Sequence, residues 1–415
     1  MIGRLALAPI LVLAILICAC SGVSSIPAAP TSENTPQNES VWAVHYNDTT
    51  NTSQLQAVLI ANGSITVSEP FELTGLFLEG GTDPNSQLMF GEVLSSDNLF
   101  LAHRQLLAFH YDGSSARQLS ATEIPLAPGN RAESIAVVPA LKAIYLFSSV
   151  TGNEDNDMPG QVLLFHYGED GSLAEPVDIT PALAGATAIF SDLAYGEKTS
   201  LLYGVSFNFA HTEPGSFPAF ATVNPDGVAS SFTPFQIQDS GPPPSSVDVC
   251  LGGGGSKTPL AYTHNGVFGL SYNGEQNAVT VESVSDGVAN FASRTDVFGT
   301  DCAGPALSAA ALDESHKAFY AVLQTFDPFF ETPVSAVLAR FTFNPATGKI
   351  SPQPVQLIPI ENKDHIYVPR FGSRLFVFNA DRVIAYTLTG NGPENPQSVP
   401  LAFPPQMLFG DTPQL

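Results

Sequence analysis

The stretch GGGGSKT (252–258) carries the residue types of a phosphate-cradling loop, glycines followed by Lys257 and Thr258. A P-loop needs Gly, four residues, then Gly-Lys-Ser/Thr opening a helix whose amides hold the phosphates. Here Ser256 precedes Lys257, Pro259 follows and no helical pattern continues, so a flexible inter-strand turn is the better reading. NEDNDM (153–158) gathers Glu154, Asp155 and Asp157 in one turn, oxygen ligands of the kind Ca²⁺ takes. The glycine and distal glutamate of an EF-hand loop are missing, so a solvated acidic hairpin tip is expected and no metal site is assigned. The eight histidines occur singly, with no HExxH and no zinc-ligand spacing. His110 and His166 recur in AFHY and LFHY, which points to a repeated structural slot. No GxSxG elbow supports a serine hydrolase. Arginine is scarce, and Arg131, Arg294 and Arg370 lie in or near segments leading into strands that face a central channel in the architecture derived below. They are the candidates for an anionic ligand, against the commoner outcome of surface salt bridging. No cofactor is implied.

Cysteine supplies the remaining chemistry. Met1-Ile2-Gly3-Arg4 is a short basic start, and the apolar run Leu5 to Ile17 is too short for a comfortable membrane span. It ends in ICACSG, which resembles the lipobox of bacterial lipoproteins: Ile17, two further residues, then Cys20. The resemblance implies a signal peptide over 1–19, lipid on Cys20, and retention at the envelope. Ile17 in place of Leu and Cys18 in place of Ala, Ser or Thr depart from the usual pattern, and an ordinary secretory signal is the alternative. Ser21 after the cysteine fits a lipoprotein sent on to the outer membrane. Residues 20–40 are Ser/Pro/Thr-rich with few large apolar side chains, so they form a loose tether. Cys250 and Cys302 are the other two cysteines of the exported chain, an even pair expected to form a disulfide in an oxidising compartment, with two separate buried thiols as the alternative. The net charge of -24, one unit more negative without Arg4, excludes nucleic acid as a partner and disfavours anionic headgroups.

The elements that must position these residues come from a repeat. Apolar strand-like stretches run into glycine turns at Gly63, Gly113, Gly171, Gly227, Gly274, Gly348 and Gly390. Period-two alternation ending in Asn/Asp/Pro/Gly chemistry marks strands closing hairpins. Aromatic-rich strands precede most of them: VWAVHY, NLFLAH, AIYLFSS, LLYGVSF, AFYAVLQ and LFVFNA. With an inner strand before and a polar outer strand after, each unit holds four strands. The expected fold is all-β, a seven-bladed β-propeller over 41–415 closed by the C-terminal strand joining the first blade. QMLFGDT near the C-terminus echoes QLMFGEV (87–93), so both are expected to be innermost strands, the former completing the first blade. Residues 285–300 read as an extended inter-blade loop, with a partial eighth blade as the alternative.

The unit KAFYAVLQTF to ISPQPVQL (317–357), with AIYLFSS to GEDGSL, resembles the lactonase-like seven-bladed propellers and their YVTN-repeat relatives. Those relatives usually carry a His opening an inner strand and a DLG segment. The equivalents here, RAESIAVVPALKAIYLFSS and SDLAYGEKTSLLYG, lack both, so no catalytic residue is carried over. Two functions stay open. One is a lipid-anchored monomeric module binding an envelope protein, a glycan or a small ligand. The other is a lactonase-like hydrolase or isomerase with its site at the channel mouth. An Arg/His/carboxylate cluster in the channel favours the second, an apolar one the first.

Overall fold

Both faces of the central strands are apolar, which a blade packed between two neighbours requires. In β6 (Leu88–Leu94) all seven residues are buried; Leu88 and Phe90 join one apolar cluster while Met89 and Val93 join another. The computed structural model describes residues 39–61, 64–95, 103–112, 115–126, 130–150, 161–179, 188–196, 200–208, 215–229, 233–234, 236–239, 257–262, 268–273, 278–285, 288–296, 306–326, 333–360, 374–379 and 381–410. Cys20, Cys250, Cys302, Arg370, the acidic turn 153–158 and most of NLFLAH lie outside them.

The described strands form seven sheets. The first takes β1 (Glu39–Asn47), β2 (Thr52–Ala61), β3 (Ser64–Val67) and β4 (Phe71–Thr74). The second takes β5 (Leu76–Asp83), β6, β7 (Arg104–Tyr111) and β8 (Ala116–Glu123). The third holds β9 (Asn130–Val138), β10 (Ala143–Val150), β11 (Val162–His166) and β12 (Val177–Asp178). The fourth holds β13 (Ala188–Gly196), β14 (Leu201–Asn208), β15 (Gly215–Thr222) and β16 (Thr233–Pro234). The fifth has β17 (Gln236–Asp239), β18 (Lys257–Tyr262), β19 (Phe268–Asn273), β20 (Ala278–Ser285) and β21 (Val288–Asp296). The sixth has β22 (Ala306–Asp313), β23 (Ala318–Phe326), β24 (Pro333–Asn344), β25 (Lys349–Ile350) and β26 (Gln356–Ile360). The seventh has β27 (Arg374–Asn379), β28 (Arg382–Thr389) and β29 (Gly392–Pro400), while β30 (Met407–Gly410) returns to the first sheet. Among the described residues helix is confined to a 3₁₀ turn at Pro139–Leu141, and no helix is long and apolar enough to cross a membrane.

The sheets follow one another as the blades of a β-propeller. Apolar clusters lie between sheets one and two, two and three, three and four, five and six, and six and seven. A sixth cluster, built on Val41, Val58, Phe376 and Phe378, lies between the seventh sheet and the first. End strands meet in turn: β30 lies against β5, β5 against β9, β9 against β13, and β18 against β22. These are the inner strands.

β30 pairs antiparallel with β1, Trp42 opposite Phe409 and Val41 opposite Gly410. The Phe409 ring stacks between Trp42 (6.3 Å, 9°) and Phe77 (5.1 Å, 18°). Gly80 lets that ring approach, since a Cβ there meets Phe409 at 2.9 Å. The echo with QLMFGEV needs correction, however. β6 is the second strand of its sheet, paired on both sides, and the inner strand is β5. A second correction concerns residues 285–300. Residues 288–296 form β21, which pairs with β20 and β17, so this stretch belongs to the fifth sheet.

The glycine turns have a shared purpose. Four of them offer their carbonyl to a side chain of the preceding sheet. Ser120 Oγ donates to Gly171 O (2.6 Å), Tyr145 OH to Gly227 O (2.5 Å), Ser293 Oγ to Gly348 O (2.8 Å) and Arg340 Nη2 to Gly390 O (2.9 Å). Gly171, Gly227 and Gly348 have φ of 78°, 79° and 66°, the left-handed region glycine adopts without strain. The turn thus presents an acceptor to the neighbouring blade, which explains why it recurs. Tyr145 is fully buried. Tyr145→Phe therefore leaves a buried carbonyl unpaired and is expected to cost about 1–2 kcal/mol. Urea unfolding checks this; an unchanged midpoint contradicts the latch.

Candidate functional site

Five of the inner strands carry a one- or two-residue bulge against the second strand. The inserted residues are Leu78 in β5, Glu133 in β9, Asp192 and Leu193 in β13, Leu260 in β18, and Ser308 in β22. Bulges bend a strand and re-aim its side chains, and they gather at barrel rims and active sites. Here the inserted types share no chemistry, so the ring of bulges serves curvature. Among the described residues the half-buried inner-strand positions are mainly aliphatic, with Leu78, Ile135, Leu307, Met407 and Leu408 beside Glu79.

The arginine candidates separate. Arg131 stands on the inner strand β9, opposite Ser149 of β10. Arg294 is corrected: it lies on β21, opposite Thr280, three strands away from the inner strand β18. An outer strand cannot bring it to the channel. Lys257 and Thr258 open a strand, β18, while the stretch Gly252 to Ser256 before them lies outside the described residues. His110, the last residue but one of β7, and His166, the last of β11, lie opposite Leu88 and Ala143, the first residues of β6 and β10. They occupy one structural slot, repeated. Among the described residues no group of three His, Cys, Asp or Glu side chains converges as a metal site would.

Three buried carboxylates were not foreseen. Asp83 accepts from Lys142 Nζ (2.9 Å), from Tyr167 OH (3.0 Å) and from the amides of Asn85 and Ser86 (3.1 and 3.3 Å). Lys142 also donates to Ser86 Oγ (2.6 Å) and lies 5.4 Å from the Tyr167 ring centroid. Burial pushes the Asp83 carboxyl up, but the hydrogen bonds from Lys142, Ser86 and Tyr167 and the charge of Lys142 outweigh it, leaving its pKa below the ordinary carboxylate value. Burial and the neighbouring Asp83 charge push the Tyr167 phenol up. Both effects lock the network as carboxylate and neutral phenol, which suits a clasp and not proton transfer. Glu92, its side chain fully buried, meets Arg104 at 3.5 Å. Asp313 holds His316 Nδ1 at 2.7 Å and caps the His316 amide at 3.0 Å. Burial, and then the Asp313 charge, raise the Tyr320 phenol to about 12.

The signal for Asp83 and Asp313 is readable afterwards. Each begins the turn between inner and second strand, in TDPNSQ and LDESHK, and each turn ends in a left-handed residue, Gln87 at 54° and Lys317 at 53°. The partner of Asp83 lies 59 residues away in the next sheet, so no local pattern shows it.

A cleft also opens between the first two sheets, about 210 Å³ including its mouth, lined by Trp42, Ser68, Glu69, Phe71, Tyr111 and Ser115 among others.

No family model matches this chain, and no curated protein sequence matches it. Solved structures do. A protein from Lactobacillus plantarum superposes with a TM-score of 0.57 at 12% identity, over 90% of this chain and 99% of that one. A candidate 6-phosphogluconolactonase from Bacteroides uniformis gives 0.55 at 14%, over 88% and 100%. Another from Bacteroides fragilis gives 0.55 at 11%, over 91% and 99%. At these identities the likeness shows the fold alone, a lactonase-like β-propeller.

Proposed function

We propose that this protein is an exported β-propeller, held at the bacterial envelope through lipid on Cys20, that acts as a binding or scaffold module. One observation carries the reading. The described buried carboxylates Asp83, Glu92 and Asp313 are each occupied by a cation or an imidazole, while the described half-buried positions of the inner strands are mainly aliphatic. A catalytic acid or base needs a free valence in reach of substrate. The ICACSG stretch supports the anchor, and Ser21 supports the outer membrane as its destination. The partner is an envelope protein, a glycan or a small ligand, met by a monomer; the charge of -24 argues against nucleic acid. Cys250 and Cys302 are proposed as a disulfide suited to that compartment.

A second reading, a lactonase-like hydrolase with its site at the channel mouth, draws on the fold shared with the two candidate 6-phosphogluconolactonases. One experiment separates them. Wild type and Cys20→Ala are fractionated, and solubilised envelope is passed over each protein, with sugar lactones assayed in parallel. The expected result is membrane-bound wild type, soluble Cys20→Ala, a specific captured partner and no lactone turnover. A wild type that is soluble and unlipidated sinks the anchor, and saturable lactone hydrolysis sinks the binding reading.

A further inference from the structure

Among the described residues four large aliphatic side chains stand half exposed or nearly so, and three of them lie on the outer rim of the sixth sheet: Val334 (58%), Val355 (52%) and Leu357 (57%). Leu357 and Pro359 of β26 lie opposite Ala339 and Val337 of β24. Ala339 belongs to the apolar cluster between the fifth and sixth sheets, and Val337 packs against it. The exposed stripe therefore carries that cluster outward into solvent. Val355 precedes the stripe, its amide donating to Arg340 O (2.7 Å). Val334 extends the row at the other end, two residues before Ala336, the partner of Ile360.

A free sheet edge is ordinarily guarded by charge. Outer strands elsewhere in the molecule carry it: β4, β8, β12 and β29 expose Glu72, Glu123, Asp178 and Glu394. β26 has no charged residue and exposes Leu357 and Pro359 instead. From Val334 to Ile360 the chain has no Asp or Glu, although acids outnumber bases 39 to 15 over its length. The charged residues of that stretch are Arg340 and Lys349, and Lys349 is exposed in β25.

These features specify an occupant that is apolar and, where it bears charge, anionic. Pro359 has no N–H to give, so β26 is a poor template for an added strand. Three half-exposed aliphatic side chains also fall well short of the roughly 1,200–2,000 Å² that a stable contact between free proteins buries. They suffice for a partner already held nearby, because a tether turns the second contact into an intramolecular one. The bilayer carrying the Cys20 lipid is such a partner. The net charge of -24 repels anionic headgroups at a distance, but screening limits this to about 8 Å at physiological salt. The charges at the contact then decide, and these are the cations Lys349 and Arg340. We infer that the outer rim of the sixth sheet rests on the bilayer, with Val334, Val355 and Leu357 entering the boundary between headgroups and acyl chains. This rests on the lipid anchor and names the surface that the anchor brings to the membrane.

Tryptophan quenching tests it. Lipidated wild-type protein and its variants are reconstituted into vesicles of phosphatidylethanolamine and phosphatidylglycerol with brominated acyl chains, which quench an indole on contact. Trp42, the single native tryptophan, is 2% exposed and supplies the background. Val355→Trp should be quenched several-fold more than Val177→Trp, whose site is exposed on the third sheet. Adding Leu357→Asp to Val355→Trp should remove most of that difference. Flotation with the vesicles reports the anchor separately. A protein that does not float removes the anchor and this inference with it. A floating protein with equal quenching at the two positions overturns this inference alone. Shielding of the Val355→Trp indole that requires added envelope protein, or a second copy of this chain, also overturns it, in favour of a protein contact.

Discussion

Ending the chain at Phe403 is expected to leave it unable to fold. The last residues have no fold of their own to lose, yet the first sheet depends on them. Without β30, Val41 to Val44 of β1 lose their inner partner, and the Phe409 ring leaves the stack between Trp42 and Phe77. The contacts run beyond the strand: Gln406 N donates to Val44 O (2.8 Å), and His45 Nδ1 lies 3.1 Å from Pro404 O. An unpaired buried strand edge also invites intermolecular pairing. The loss is several kcal/mol, most of the 5–15 kcal/mol of an ordinary domain, so aggregation should follow. Phe409→Ala isolates the ring and should cost about 3–5 kcal/mol. Thermal melts of both are compared with that of a chain lacking residues 21–38. If the C-terminal cut is as harmless as the tether cut, the first sheet does not need its last strand.

Asp83→Ala should strongly destabilise the fold. It strands Lys142 and the Tyr167 hydroxyl at the joint between the second and third sheets. Breaking a fully buried pair costs about 3–5 kcal/mol. The Lys142 side chain is 33% exposed and is partly rehydrated, so about 2–4 kcal/mol is expected. The pH dependence has a definite sign. A carboxyl whose folded pKa lies below its ordinary 3.8 stabilises the fold above that value, and the contribution disappears as pH falls through the folded pKa. Wild type should therefore lose stability below about pH 4 more steeply than Asp83→Asn. Parallel acid limbs for the two proteins contradict the assignment.

The glycine turns, the aromatic strands and the returning C-terminus were legible because each is a local pattern repeated along the chain. Position within a blade was not. β6 and β30 share a Met/Leu-Phe-Gly-acid pattern, but β6 is buried on both faces while Met407 and Leu408 of β30 are half-buried, a difference set by neighbours. β21 reads VANFASRTD, with polar residues breaking the apolar run, a loop-like pattern that arises because an outer strand buries little. Bulges insert a residue or two and are invisible without the partner strand's register. Arg294 was misplaced for the same reason. The Asp83 clasp joins two blades, and each half alone looks like an ordinary turn.

The pairing of β1 with β30 sets a timetable for synthesis. Glu39 begins the first of the described strands to leave the ribosome, while Met407 begins the last of them. At roughly 5–20 residues per second, β1 waits on the order of tens of seconds for its inner neighbour. Later blades can pair strand by strand as they emerge, but the first remains open along one side until β30 has emerged. Any factor that shields a nascent chain should therefore be needed longest at Val41 to Val44, and a translational stall just before Met407 should be more harmful than the four residues of β30 suggest.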